Sequence, residues 1–168
     1  MHFPVMVIFE SGAESDLIDL LAPYNENLTT DEFDDNPLSK WDYYGFGGRW
    51  TAILNGETWC YLKDFPRVRN DDSEAVLKEK FPQLYELWLK YDKTPLSGSD
   101  AFLKFIKTKF CYALLTPSGE WFEPGRRYAW WLGASAEKEE DIDWVEEFSK
   151  IMDSYPGDYY VQLIDCHI

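Results

Sequence analysis

Five consecutive apolar residues, Val5-Met6-Val7-Ile8-Phe9, constrain this chain more than any other feature. Neither a two-residue alternation nor a helical period runs through them, and Ser11-Gly12 closes the segment. A short, uniform run of this kind fits a strand buried on both faces. Leu17, Ile18, Leu20 and Leu21 then take helical spacing behind a cap at Ser15 or Asp16, and the helix stops near Pro23. Residues 25–38 read as an acid-rich loop that holds Glu26, Asp31, Glu32, Asp34 and Asp35.

Further elements follow from turn chemistry and period. Arg49 to Leu54 and Thr58 to Leu62 flank Asn55-Gly56, the strongest short hairpin signal, and predict a β-hairpin. Val76, Leu77, Phe81, Leu84, Leu87, Trp88 and Tyr91 follow a helical period that Pro82 divides into two helices. Ser99 or Asp100 caps another helix bearing Phe102, Phe105 and Ile106. Phe110 to Leu115 and Glu120 to Glu123 predict a second hairpin around Pro117-Ser118-Gly119. Ile142, Trp144, Val145, Phe148, Ile151 and Met152 mark a last helix that ends before Pro156-Gly157. The acids at its start (Glu137, Glu139, Glu140, Asp141 and Asp143) suit the positive end of the helix dipole. Tyr159 to Ile164 is the final strand, with Asp165-Cys166-His167-Ile168 at its tip. The order predicts an α+β fold: a mostly antiparallel sheet with helices on one face, and a ferredoxin-like core carrying a helical insertion at about 66–108. A length of 168 residues fits one domain spanning 1–168.

Charge narrows the function. Thirty-one acids against 16 bases leave a net charge of −15, which repels nucleic acid and anionic membrane and attracts basic protein surfaces. Direct nucleic-acid binding is therefore not expected, although mimicry of nucleic acid in a basic groove stays open, and acidity also serves plain solubility. Eight Trp, 11 Tyr and 11 Phe exceed what a small core needs and predict an aromatic surface or pocket. Cys60, Cys111 and Cys166 form no CxxC pair, no signal peptide is read at the start, and no apolar run approaches the ~20 residues of a membrane span. A cytoplasmic protein with reduced thiols is expected.

Candidate binding residues concentrate in Trp41-Asp42-Tyr43-Tyr44-Gly45-Phe46-Gly47-Gly48-Arg49-Trp50. Gly47 and Gly48 ahead of Arg49 can form a concavity of amide N–H groups beside a cation, suited to an anion, with the rings of Trp41, Tyr44 and Trp50 nearby. The structural alternative is a tight bend with Arg49 paired to Asp42. No Gly-Lys-Ser/Thr follows, so this is not a phosphate loop. Asp165 and His167 lie two apart on a terminal strand and share a face, where they could bind a metal or share a proton. The alternative is a histidine bonded to a strand neighbour. Cys166 points away, and His2 is the only other imidazole. Arg126-Arg127, between Trp121-Phe122 and Tyr128-Trp130-Trp131, forms a basic-aromatic patch suited to a nucleotide or a partner protein. No calcium or serine-nucleophile motif occurs, and no cofactor is expected.

Several pieces of the chain resemble a family of small uncharacterised proteins common in bacteriophages and in bacteria carrying phage-derived DNA. They are Ala22-Pro23-Tyr24-Asn25-Glu26-Asn27, Lys40-Trp41-Asp42-Tyr43-Tyr44, Gly47-Gly48-Arg49-Trp50, Tyr112 to Pro117 with Gly119-Glu120-Trp121, and Val161 to Ile168. Asn25, where relatives tend to carry Asp, and the turn Gly125-Arg126-Arg127-Tyr128-Ala129 depart from the pattern. The resemblance implies a phage or prophage setting in a host cytoplasm, and Glu26 or Asp42 as a third partner for Asp165 and His167. Taken with the charge, it leads to the expectation of a non-enzymatic binding protein that inhibits a host, defence-related protein with a basic surface, or that sequesters an anionic nucleotide-like molecule. The competing expectation is a metal-assisted or acid/base hydrolase using Asp42, Arg49, Asp165 and His167.

Overall fold

Strand β1 (His2–Phe9) starts three residues before the apolar run and buries every residue but its first. In the computed structural model, which describes residues 2–27, 36, 38–69, 71–91, 102, 113–123 and 144–168, this strand lies inside a six-stranded sheet. One neighbour is β6 (Tyr160–His167), antiparallel from His2↔His167 to Phe9↔Tyr160. The other is β4 (Ala113–Leu115), parallel to β1 and joined to β5 (Trp121–Phe122) by the expected turn at Pro117-Ser118-Gly119. The outer side of β6 carries two short strands in line: β2 (Tyr43–Phe46) against Ile164–His167 and β3 (Trp59–Tyr61) against Tyr160–Gln162.

Alternation along β1 divides the interior in two. Met6 and Ile8 face a core with Leu114, Val161 and Leu163 of the sheet, covered by α2 (Glu74–Lys80), α3 (Pro82–Tyr91) and α4 (Trp144–Asp153). Val5, Val7 and Phe9 face a second core with Ile164 and Cys166, covered by Leu17 and Leu21 of α1 (Glu14–Leu21) and by Trp41. Helices therefore lie on both faces, where one face was expected, and the uniform run Val5–Phe9 is the signature of that double cover. Pro82 opens α3 at its first position, where a missing N–H costs nothing, so two helices form as predicted.

Three expectations change. A ferredoxin-like core would set the strand after α1 beside the strand that parallels β1, but β2 and β3 lie across the sheet on β6. The segment from Gly48 to Leu54 is a 3-10 helix, not a strand, and buries the consecutive residues Ala52, Ile53 and Leu54. Asn55 (φ 54°) and Gly56 (φ 99°) still supply two left-handed residues, but they cap that helix, with Gly56 N–H donating to Thr51 O at 2.9 Å. The last strand continues through Asp165, Cys166 and His167, which the tip assignment had left out. Among the described residues, no helix is long and apolar enough to cross a membrane.

Candidate functional site

Register brings the site together. His167 sits between His2 of β1 and Tyr43 of β2, and Asp165 sits between Pro4 and Gly45, on the sheet face that also carries Leu163. Tyr43 stacks on His167 with ring centroids 4.7 Å apart, and His2 meets His167 edge-on at 4.8 Å. Both histidines of the chain are thus neighbours at one end of the sheet.

Asp165 and His167 do not pair with each other. Each takes partners from other segments of the chain. Asp165 Oδ1 accepts from His2 Nδ1, its diagonal neighbour across the β6–β1 ladder, at 3.0 Å and from the indole N–H of Trp50 on the 3-10 helix at 2.9 Å. His167 Nδ1 donates to both carboxylate oxygens of Asp42, at 2.9 and 3.0 Å. A carboxylate only accepts, so in each neutral imidazole Nδ1 carries the proton and Nε2 is left as an acceptor. Nε2 of His2 lies 3.3 Å from the Tyr43 hydroxyl. Burial pushes the Asp42 carboxyl up, but hydrogen bonds from His167 and from the Tyr43 amide outweigh it and hold the group below its ordinary value.

The bend at the glycine pair closes on the protein's own groups, with the Asp165 carboxylate beside Gly48 and Arg49. Gly47 (φ 64°) and Gly48 (φ 51°) turn the chain out of β2 into the 3-10 helix. Gly47 N–H donates to Leu163 O at 2.7 Å, and the Arg49 amide and Nε approach Asp165 Oδ2 at 3.4 and 3.6 Å. A Cβ on Gly48 would strike the Asp165 carboxylate. Arg49 thus pairs with Asp165 and not with Asp42, while its side chain stays 58% exposed.

On the opposite face, α1 leaves a recess of about 410 Å³ against β2, lined by Ile18, Ala22, Asn25, Trp41, Asp42 and the tyrosines 43 and 44. Trp41 is buried and meets Tyr44 edge-on at 4.9 Å; its indole N–H has no hydrogen-bond partner among the described residues. Burial and the Glu14 carboxylate both push the Tyr44 phenol up. From Tyr44 an aromatic strip continues along the open sheet face. Phe46 follows at 6.1 Å, and farther along β6, on the same face, Trp59, Tyr61 and Tyr160 lie within 5.1–5.7 Å of one another.

The candidate residues thus fall on two faces. Asp42, Gly47, Gly48, Arg49, Trp50, Asp165 and His167 meet in one cluster, Asp42 at its edge also lines the recess with Trp41 and Tyr44, and Arg126 and Arg127 lie outside the described residues. Sequence reasoning missed His2 as a partner because β1 was started at Val5, and it missed Tyr43 and the strip because β2 was not recognised as a strand. The alternation of Trp59 and Tyr61 about Cys60 was a usable signal. Glu26 does not join the cluster; it lines a separate depression with Asn27, Asn36 and Ser39. Cys166 is sealed in the second core and Cys60 is half-buried; burial pushes both thiols up, Cys60 to about 12, so neither is a ready thiolate. Among the described residues, no group of three or more His, Cys, Asp or Glu side chains is placed to hold a metal ion. No family model, curated protein or solved structure matches this chain.

Proposed function

We propose that the chain is a non-enzymatic binding protein, a phage or prophage accessory factor that captures and inhibits a host protein through a basic surface on that partner. The observation that carries this reading is the aromatic strip, in which Phe46, Trp59 and Tyr61 are 43%, 45% and 36% exposed on the sheet face that α1 covers only in part. A contiguous exposed apolar patch marks a contact surface, and aromatic side chains are the commonest anchors of one. The Glu14 carboxylate acts on Tyr44 at one end of it. With a net charge of −15 behind it, that end steers a basic partner onto the strip. Sequestration of a nucleotide-like anion has less support, since the Gly47-Gly48-Arg49 cradle already holds Asp165.

The test is affinity capture from bacterial host lysate with the wild-type chain and with Trp59→Ala. A protein retained by the wild type, lost with the variant and released progressively by salt supports the reading. Capture indifferent to both Trp59→Ala and ionic strength overturns it. The acid/base hydrolase that would use Asp42, Arg49, Asp165 and His167 has one observation in its favour, the orientation of His167 by Asp42 with Nε2 left as acceptor. Turnover of aryl esters or aryl phosphates that vanishes in His167→Gln supports that class, and no turnover at any pH removes it.

A further inference from the structure

We infer that the recess beside Trp41 and Tyr44 receives the guanidinium of an arginine side chain on the basic partner. This rests on the reading of the chain as a binding protein and gives one anchor of the interface its chemistry.

Charge is the first selector. Asp42, held in its ionised form by His167 and the Tyr43 amide, contributes to the lining, and its side chain is still 29% exposed. A carboxylate offers about four acceptor directions, so oxygens already bonded to His167 can accept from a further donor. Glu14 lies close enough to act on the Tyr44 phenol, and no lysine or arginine is among the lining residues. A cation is therefore favoured and an anion is not.

Shape and hydration are the second. Ile18 of α1 and Ala22, which follows its last residue, line one side, and Tyr44 and Trp41 line another, a surface that is mostly apolar. An ammonium would have to shed a tightly held hydration shell to enter. A guanidinium is planar, less strongly hydrated and able to lie against an aromatic ring while its edge reaches a carboxylate. The third selector is continuity. Tyr44 both lines the recess and adjoins Phe46 at 6.1 Å, so the recess terminates the strip. A partner laid along Phe46 and Trp59 with its apolar residues would carry an arginine to the Asp42 end.

The experiment titrates acetyl-arginine amide into the full chain and follows backbone amide resonances. Saturable shifts at Ile18, Asp42 and Tyr44 are expected, with acetyl-lysine amide binding at least about fivefold more weakly and acetyl-citrulline amide, which keeps the shape without the charge, not binding. Asp42→Asn should abolish the response. Because that change also frees His167, Ala22→Phe, which fills the recess from the turn after α1 and leaves the Asp42–His167 contact in place, should abolish it too. Equal responses to arginine and lysine, a response to citrulline, or shifts confined to other acidic surfaces would overturn the assignment. The outcome is separable from the parent reading. Trp59→Ala should lose the captured partner yet keep the arginine response. A silent recess alongside intact Trp59-dependent capture would remove the arginine and leave the binding protein.

Discussion

The two halves of the segment from Trp41 to Trp50 begin with similar materials and end in opposite states. In the C-terminal half, Gly47, Gly48, Arg49 and Trp50 close on Asp165, an internal carboxylate only 8% exposed that accepts from the Arg49 amide and the Trp50 indole. In the N-terminal half, Asp42, Tyr43, Tyr44 and Phe46 remain at the surface, beside a recess and at the head of an aromatic strip. An anion cradle occupied by the protein's own aspartate is a clasp that fixes the 3-10 helix to β6. A carboxylate and aromatic rings left at an edge are contact groups. Residue type alone does not separate the two roles, and both carboxylates are hydrogen-bonded within the chain; burial separates them, with the Asp165 side chain 10% and the Asp42 side chain 29% exposed.

Substitutions that sharpen this contrast should sort by half. Gly48→Ala should have the largest effect, because the new Cβ meets the Asp165 carboxylate and the backbone stays at φ 51°. A loss of about 3 kcal/mol is expected in urea unfolding, and a loss below about 1 kcal/mol would show that the clasp is loose. Asp165→Ala should cost roughly 2–3 kcal/mol by the same measurement, since His2, Trp50 and the Arg49 amide lose their acceptor. Trp59→Ala, on the open side, should change stability by less than about 1 kcal/mol while weakening partner affinity about tenfold or more, read by calorimetry. A large loss of stability here would make the strip part of the core and erase the contrast.

Asp42 supplies the smallest effect and a pH signature. Its native carboxyl titrates below the ordinary value of 3.8, so its contribution is complete above that pH and is lost as pH falls through the depressed native value. Melting temperatures recorded from neutral to strongly acid pH should therefore lose part of their acid-limb slope in Asp42→Asn. Identical slopes in the two chains would mean that the Asp42–His167 contact contributes nothing to folding.

Several elements were legible without coordinates. The helix break at Pro82, the turn at Pro117-Ser118-Gly119 and the double burial of Val5–Phe9 follow from local chemistry and period, and all are observed. The errors share one cause: local chemistry compatible with more than one structure. Asn55-Gly56 provides left-handed residues that serve a helix cap as readily as a hairpin, and the lack of alternation in Ala52-Ile53-Leu54 was the clue that favoured the cap. Asp165 and His167 do share a face, as their spacing required. Their partners, His2 on β1 and Asp42 just ahead of β2, lie more than 120 residues away in the chain.

Composition and local pattern by themselves determined an acidic, aromatic-rich α+β chain with a doubly covered central strand, because net charge and period are properties of sequence alone. Tertiary structure decided which groups are spent and which remain free. Antiparallel pairing with β6 sets His2, Tyr43 and Asp42 around His167, and the fold of Gly47-Gly48 turns a possible ligand cradle into an internal bond. The physical reason is distance. Strand pairing, which no local signal encodes, brings segments far apart in the chain within hydrogen-bond reach, and so sets His2 beside Asp165 and Asp42 beside His167.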